Sequence, residues 1–269
     1  MTNLSATFGG SIPEYYDRYL GPAWFDKFGA DLAGRLAANP PGGVLEIACG
    51  TGLVTRRLRE RLEPAVRLVA TDLSRAMLDY AKAKVTLPGI EWREADACKL
   101  PFPDASFGAV VCAFGVMFFP DRGAAFAEAR RVLRKGGTFL FNVWDRIEDN
   151  PHALVSSELF EQLFPGDAEM QFTRIPYGLH DRALLRGLLA GARFEELRIE
   201  PRRVEVSLPD AHSLALGGIR GTPRVALIEK RGVKVDEVIE RAAAALAKVG
   251  GGKPYRSHAQ ALVVEARAL

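Results

Sequence analysis

Apolar residues between positions 44 and 145 come in short runs separated by amphipathic stretches. Val44-Leu45-Glu46-Ile47 is the first run, residues 66–72 the second, 90–97 the third, 107–114 a nearly unbroken fourth and 138–145 the fifth. Such runs suit strands of a parallel sheet buried on both faces. The intervening stretches have helical spacing. Leu53, Val54, Leu58 and Leu62 mark one helix, residues 74–78 open another, and residues 121–133 form a third that Lys135-Gly136-Gly137 ends. The alternation predicts an α/β fold with a parallel sheet and right-handed crossovers.

The flanks differ. Ser11-Ile12-Pro13-Glu14 reads as a helix start, with serine as N-cap and proline in the first turn. Tyr15, Tyr16, Tyr19, Leu20, Trp24, Phe25 and Phe28 follow. This stripe either packs a leading helix on the domain or forms a lid whose tyrosines face a cationic ligand. Residues 31–38 continue the helix until Asn39-Pro40-Pro41-Gly42-Gly43 stops it. After residue 150 the pattern predicts a helix at 151–164, irregular chain at 165–180, a helix at 181–189 and a long strand at 194–208, bent at Pro201. An insertion at 209–252 holds one strong helix, 236–249, and residues 255–268 form a final strand running antiparallel at or near the sheet edge. The predicted organisation is an N-terminal helical lid, 1–40, and a domain, 41–269, with cap insertions at about 146–180 and 209–252.

The first strand ends in Glu46, and small residues follow at alternate positions: Ala48, Gly50 and Gly52. A strand, a tight glycine turn and a helix start form the first unit of a doubly wound sheet, where a nucleotide-like cofactor lies at the strand's carboxyl end. A side chain at Gly50 or Gly52 would hold the backbone off a ligand or forbid the turn. The loop departs from G-x-G-x-x-G at Ala48 and Val54. The second strand ends in Asp72, where an acid can accept two charge-assisted bonds from ribose hydroxyls, or else cap the next helix, a task Ser74 can fill. The third strand ends in Asp96 and Ala97.

Composition narrows the classes. With 269 residues, 48% of them hydrophobic, the chain can build one large domain. Its net charge is only +3, and the basic clusters Arg56, Arg57, Arg59, Arg61 and Arg130, Arg131, Arg134, Lys135 lie on predicted helices. They read as solvated faces, so no nucleic acid is expected as a partner. Three cysteines without ligand spacing point to a reducing, cytoplasmic setting and to no metal site. No apolar run reaches membrane-spanning length and no signal peptide is apparent, so no membrane insertion is expected.

These residues together resemble the class I S-adenosylmethionine-dependent methyltransferases, and within them the small-molecule group similar to quinone-biosynthesis methyltransferases. The resemblance covers about residues 15–144 and is carried by residues 44–52 and 69–74, by Asp96-Ala97 through Leu100-Pro101-Phe102-Pro103-Asp104-Ala105-Ser106-Phe107, and by Arg131-Val132-Leu133-Arg134-Lys135-Gly136-Gly137. It implies a Rossmann-like, seven-stranded, mostly parallel sheet with an antiparallel last strand and helical cap insertions. It implies cofactor contacts from Tyr19, Glu46, Ala48, Gly50, Gly52, Asp72, Leu73, Met77, Asp96, Ala97, Ala113 and Phe114. In such enzymes Asp72 would hold the ribose, Asp96 the adenine amine and Met77 the adenine face, with Tyr19 near the methionine end. The residues agree, because the cofactor has a sulfonium, a ribose diol and an adenine but no phosphate. A nicotinamide dinucleotide would use Gly50, Gly52 and Asp72 and leave Asp96 idle. A non-catalytic binding module is the other alternative.

Methyl transfer from S-adenosyl-L-methionine, leaving S-adenosyl-L-homocysteine, is an in-line displacement that needs mainly alignment. No base motif is evident. His180, beside Asp181, and Asp145 are the candidates for a catalytic role, followed by His152 and Tyr16. Leu159, Phe160, Leu163, Phe164, Phe172 and Tyr177 in the first insertion suggest a small hydrophobic acceptor, or alternatively a homodimer interface.

Overall fold

A computed structural model of the chain describes residues 8–269. Its centre is a seven-stranded sheet in the order β3-β2-β1-β4-β5-β7-β6, with β1 Val44–Ile47, β2 Leu68–Asp72, β3 Ile90–Glu94, β4 Phe107–Ala113, β5 Leu133–Trp144, β6 Phe194–Leu208 and β7 Tyr255–Ala268. The pairs among β1 to β5 are parallel, while β7 runs antiparallel to both β5 and β6. β1, β2 and almost all of β4 are buried, as their largely apolar runs demand. The final strand is therefore one place in from the edge, and β6 is the edge strand. Pro201 is tolerated there, since an edge strand can lose one N–H without orphaning a neighbour. The irregularity in β6 falls at Glu196/Arg198 rather than at Pro201.

Helices α3 (Leu53–Arg61), α4 (Arg75–Lys84) and α5 (Arg122–Val132) connect the parallel strands. Asp121 caps α5 by accepting from the Ala124 N–H. The loop before β4 is held by Arg131 of α5, which donates to the carbonyls of Leu100 and Phe102 and pairs with Asp104 and Glu128. Glu128 in turn accepts the Leu100 N–H. Three of the four basic positions of α3 are likewise engaged within the chain. Arg56 and Arg57 both pair with Asp26, and Arg59 donates to the carbonyls of Leu62, Glu63 and Val66.

The leading helix is not uniform. α1 (Ile12–Tyr15) and α2 (Asp26–Arg35) flank a stretch, Tyr16–Phe25, wound with i→i+5 bonds and containing Pro22. Ser11 makes no capping bond with its side chain, and α2 stops at Arg35, short of position 38. The wider turn keeps residues four to five apart on one side, so Tyr16, Leu20, Trp24 and Phe25 face the same cavity. Asp17 anchors the stretch through Lys84 and Tyr80 of α4.

The second half supplies α6 (Pro151–Leu163), α7 (Arg182–Gly191), α8 (Ala211–Arg220), α9 (Arg224–Lys230) and α10 (Val235–Gly250). The 209–252 insertion thus holds three helices where the sequence predicted one. α8 packs on the wide-turn stretch, and α10 packs on α6 and α8. These contacts close a chamber over the carboxyl ends of the strands.

Candidate active site

β1 neighbours both β2 and β4, so chain direction across the sheet reverses there, and a crevice opens outside the strand tips. Two hollows lie in it. One is a cavity of about 210 Å³ that includes Ala48, Gly50, Asp72, Met77, Ala113 and Phe114 in its wall. The other is a recess of about 30 Å³ bounded by Ala48, Asp72, Leu73, Asp96, Ala97 and Phe119. They share Ala48, Asp72 and Phe119.

The first loop is built for an open backbone. Gly50 has φ +56, and a Cβ placed on it meets no atom within 4 Å. The conformation favours glycine, and the space is left bare. Gly52 is bare for a different reason. Its Cβ would lie 2.9 Å from Val85 Cγ2 and 3.1 Å from Ala81 Cβ, so it permits close packing of α4 and does not border either hollow. Ala48 and Phe114 also have positive φ, 56° and 53°, costs of about 1–3 kcal/mol each that recur at ligand-facing loops. Phe114 is fixed by Asn142, whose Oδ1 accepts its N–H at 2.9 Å.

Asp72 is buried at the tip of β2. One carboxylate oxygen accepts the Gly50 N–H and the other the Ser74 N–H, both at 2.8 Å. Ser74 caps α4 itself, so Asp72 is not needed for that. Each carboxylate oxygen of Asp72 retains acceptor capacity. Burial raises its pKa above the ordinary value, against the pull of its backbone bonds. Asp96 is exposed at the recess, with one oxygen on the Cys98 N–H at 2.8 Å. Glu46 borders neither hollow. It is buried beneath the loop, its Oε2 has no hydrogen-bond partner among the described residues, and burial pushes its carboxyl up to about 8. Met77 lines the large cavity rather than the recess with Asp96.

The remainder of the large cavity is aromatic. Tyr16 stacks on Phe25 at 4.8 Å, Phe25 meets Phe114 edge-on at 5.2 Å, Phe114 lies 4.4 Å from Trp144, and Trp144 stacks on Tyr177 at 5.5 Å. Of the N-terminal tyrosines Tyr15, Tyr16 and Tyr19, Tyr16 enters the site, and burial followed by the charge of Asp72 raises its hydroxyl's pKa. Tyr19, expected near the methionine end, does not line the cavity and stacks on Tyr15 at 6.0 Å.

The two catalytic candidates fall outside this chamber. His180 is exposed and has Nδ1 2.8 Å from the Tyr177 carbonyl. Asp145 is buried but committed to the Arg146 N–H and the Gln260 amide, both at 2.9 Å, and it serves to join β5 to β7. The cavity histidine is His152. It stacks on Trp24 at 4.4 Å and places Nε2 3.3 Å from the Tyr177 hydroxyl. Burial lowers it to about 3, so the ring is neutral at physiological pH. Cys49 is buried, and burial, then Asp72 and Glu46, raise its thiol far from a thiolate.

Arg224 was not singled out in the sequence. It lies in the cavity wall, buried, with its guanidinium 4.8 Å from the Phe160 ring centre, and burial lowers it to about 10. No local signal distinguished it from the other arginines.

Residues 45–141 match a family described as a methyltransferase domain. A demethylmenaquinone methyltransferase from Thermus thermophilus is 37% identical over 147 residues, which are 52% of this chain and 66% of that protein. One from Deinococcus radiodurans is 44% identical over 107 residues, 39% of this chain and 44% of that protein. The chain thus spans between under half and about two thirds of the length of these relatives. A candidate methyltransferase of known structure from Bacillus halodurans superimposes with a TM-score of 0.59 at 20% identity, over 90% of this chain and 99% of that one, and so shares the fold. Residues 45–141 thus carry a methyltransferase domain, and the chain resembles the class I S-adenosylmethionine-dependent methyltransferases of quinone biosynthesis.

Proposed function

We propose that the chain holds S-adenosylmethionine along Ala48, Gly50, Asp72 and Asp96 and methylates a small, ring-bearing hydrophobic acceptor seated among the aromatic side chains. One observation carries the reading: a single cavity joins the bare backbone at Gly50 and the Asp72 carboxylate to a wall of stacked rings.

When bound, S-adenosylmethionine supplies a methyl group on a positively charged sulfur. Asp72 has acceptor capacity for ribose hydroxyls beyond its two backbone bonds. Asp96 offers an oxygen at the recess, and Leu73 and Ala97 give it apolar sides. Tyr16, Phe25 and Trp144 exclude water and fix the plane of an acceptor ring. Holding two reactants in line is worth up to about 7–11 kcal/mol, which can carry most of the catalysis. His152, neutral and paired with Tyr177, orients an oxygen of the acceptor. At about 3 it is a poor base in the empty cavity, so deprotonation by the protein contributes little.

Isothermal titration with S-adenosylhomocysteine and with NAD tests the cofactor half. The expected result is micromolar binding of the first and no heat from the second; NAD binding with a silent homocysteine would overturn the proposal. Transfer of radiolabelled methyl to members of a phenol and naphthol panel tests the rest.

A further inference from the structure

Trp24 stands in the wall of the large cavity with 4% of its surface exposed. Its indole Nε1 is buried without a hydrogen-bond partner among the described residues. The rings around it supply none. His152 stacks on it at 4.4 Å and 23°, and an imidazole nitrogen accepts in the plane of its ring, not from the face. Trp144 at 5.8 Å and Phe25 at 5.9 Å meet it edge to face and offer no more than a π surface, a weak acceptor. The Tyr177 hydroxyl, on the same wall, lies 3.3 Å from His152 Nε2 and is engaged there. The same three rings hold the indole in place, so it does not turn to find an acceptor elsewhere. A buried donor left unpaired costs about 1–3 kcal/mol, and native structures keep few of them.

We infer that Trp24 selects the acceptor by its oxygen: the ring seated among the aromatic side chains carries a carbonyl, and that carbonyl accepts the indole N–H. The inference rests on the methyltransferase reading and adds the chemistry of the acceptor's oxygen to it. An indole N–H only donates, so the ligand atom that meets it must accept. A carbonyl oxygen does so with two lone pairs and has no proton of its own to place. A hydrocarbon of the same outline would cover the N–H with apolar surface and leave it unpaired. Sites built around such a bond reject the analogue that lacks the polar atom far more strongly than they reject a change of one methylene. The preference also runs against solvation. Water holds a ketone better than the matching hydrocarbon, so a wall without a donor would favour the hydrocarbon. Trp24 lies outside residues 45–141, so this selection belongs to the wall and not to the shared domain.

The test compares 1-indanone, 1-tetralone and 9-fluorenone with indane, tetralin and fluorene. Binding is read by calorimetry, with and without saturating S-adenosylhomocysteine. At least one ketone is expected to bind the native protein about tenfold or more tightly than its hydrocarbon. Trp24→Phe keeps an aromatic ring and loses the N–H, so the ratio should fall below about threefold while homocysteine affinity holds. Equal affinity of ketones and hydrocarbons, binding by no member of the panel, or a ketone preference that survives Trp24→Phe would overturn the inference. A second measurement reads the bond itself on the native chain. The chain has three tryptophans, so a nitrogen-15-labelled sample shows three indole N–H signals. That of Trp24 should move downfield with the ketone and not with its hydrocarbon. A Trp24 signal that answers both alike, or neither, counts against the inference even where Trp24→Phe does not fold. Failure of S-adenosylhomocysteine to bind native protein would instead sink the methyltransferase reading, leaving the ketone preference measurable by itself.

Discussion

The two ends of the cavity handle charge in opposite ways. At the strand tips the buried ionisable groups are acids, and burial drives them toward neutrality: Asp72, in the cavity wall, is raised, and Glu46, beneath the loop and outside the cavity, is pushed up to about 8. On the far wall they are bases, and the same cause drives His152 down to about 3 and Arg224 down to about 10. Low polarity disfavours whichever form is charged. The ends also differ in origin. The acids lie within residues 45–141, which match the methyltransferase domain, while Tyr16, Trp24, His152, Tyr177 and Arg224 lie outside it. A shared module faces a wall that belongs to the rest of this chain.

The most severe way to break this contrast is at the ring between the ends. Trp144→Ala removes a buried indole that touches Trp24, Phe114 and Tyr177 and should cost about 3–5 kcal/mol in denaturant unfolding. A cost below about 1 kcal/mol would mean that the wall is not cohesive. Asp72→Ala should be next, weakening S-adenosylhomocysteine at least 100-fold by calorimetry, about 2.8 kcal/mol, without altering binding of aromatic ligands at the other end. A change under tenfold would refute the ribose assignment.

The pH dependence separates the ends more finely. Glu46 has a folded value of about 8, above its ordinary 4.5, so its contribution to stability is full below about pH 4.5 and is lost as pH rises toward 8. His152 has a folded value of about 3, below its ordinary 6.5, so its contribution is full above about pH 6.5 and is lost as pH falls toward 3. Melting temperature against pH should therefore lose the Glu46 contribution to its decline from about pH 4.5 to 8 in Glu46→Gln and part of its decline from about pH 6.5 to 3 in His152→Gln. Parallel curves for native protein and both variants would show that neither group is held neutral by the fold. The smallest effect is expected at His180→Ala, an exposed site off the cavity: stability within about 0.5 kcal/mol and methyl transfer within twofold. A large loss of transfer would return His180 to the site.

Why some site residues were legible and others not follows from particular contacts. Asp72 and Asp96 end apolar runs, and strand tips at a switch point converge whatever the rest of the chain does. Tyr19 was preferred to Tyr16 on resemblance, but the i→i+5 winding of Tyr16–Phe25 changes which tyrosine faces inward. The insertion at 209–252 was expected to hold only the helix at 236–249, and α8 was not foreseen. Gly217 is a close approach, for a Cβ there would lie 2.7 Å from Tyr19 Cβ on the neighbouring stretch. His180 beside Asp181 looked like an oriented base, yet Asp181 caps α7 and His180 turns to a backbone carbonyl.

By itself the sequence determined the alternation of strands and helices, the glycine turn after β1 and the acids at successive strand tips, because these follow from local periodicity and from residues adjacent in the chain. Tertiary structure alone decided what faces those acids. The far wall is assembled from the leading helix and two distant insertions, whose side chains meet through packing between elements that no local pattern registers. The burial that makes Glu46, His152 and Arg224 unusual is likewise a property of neighbours remote in sequence, and it exists only once the chamber has closed around them.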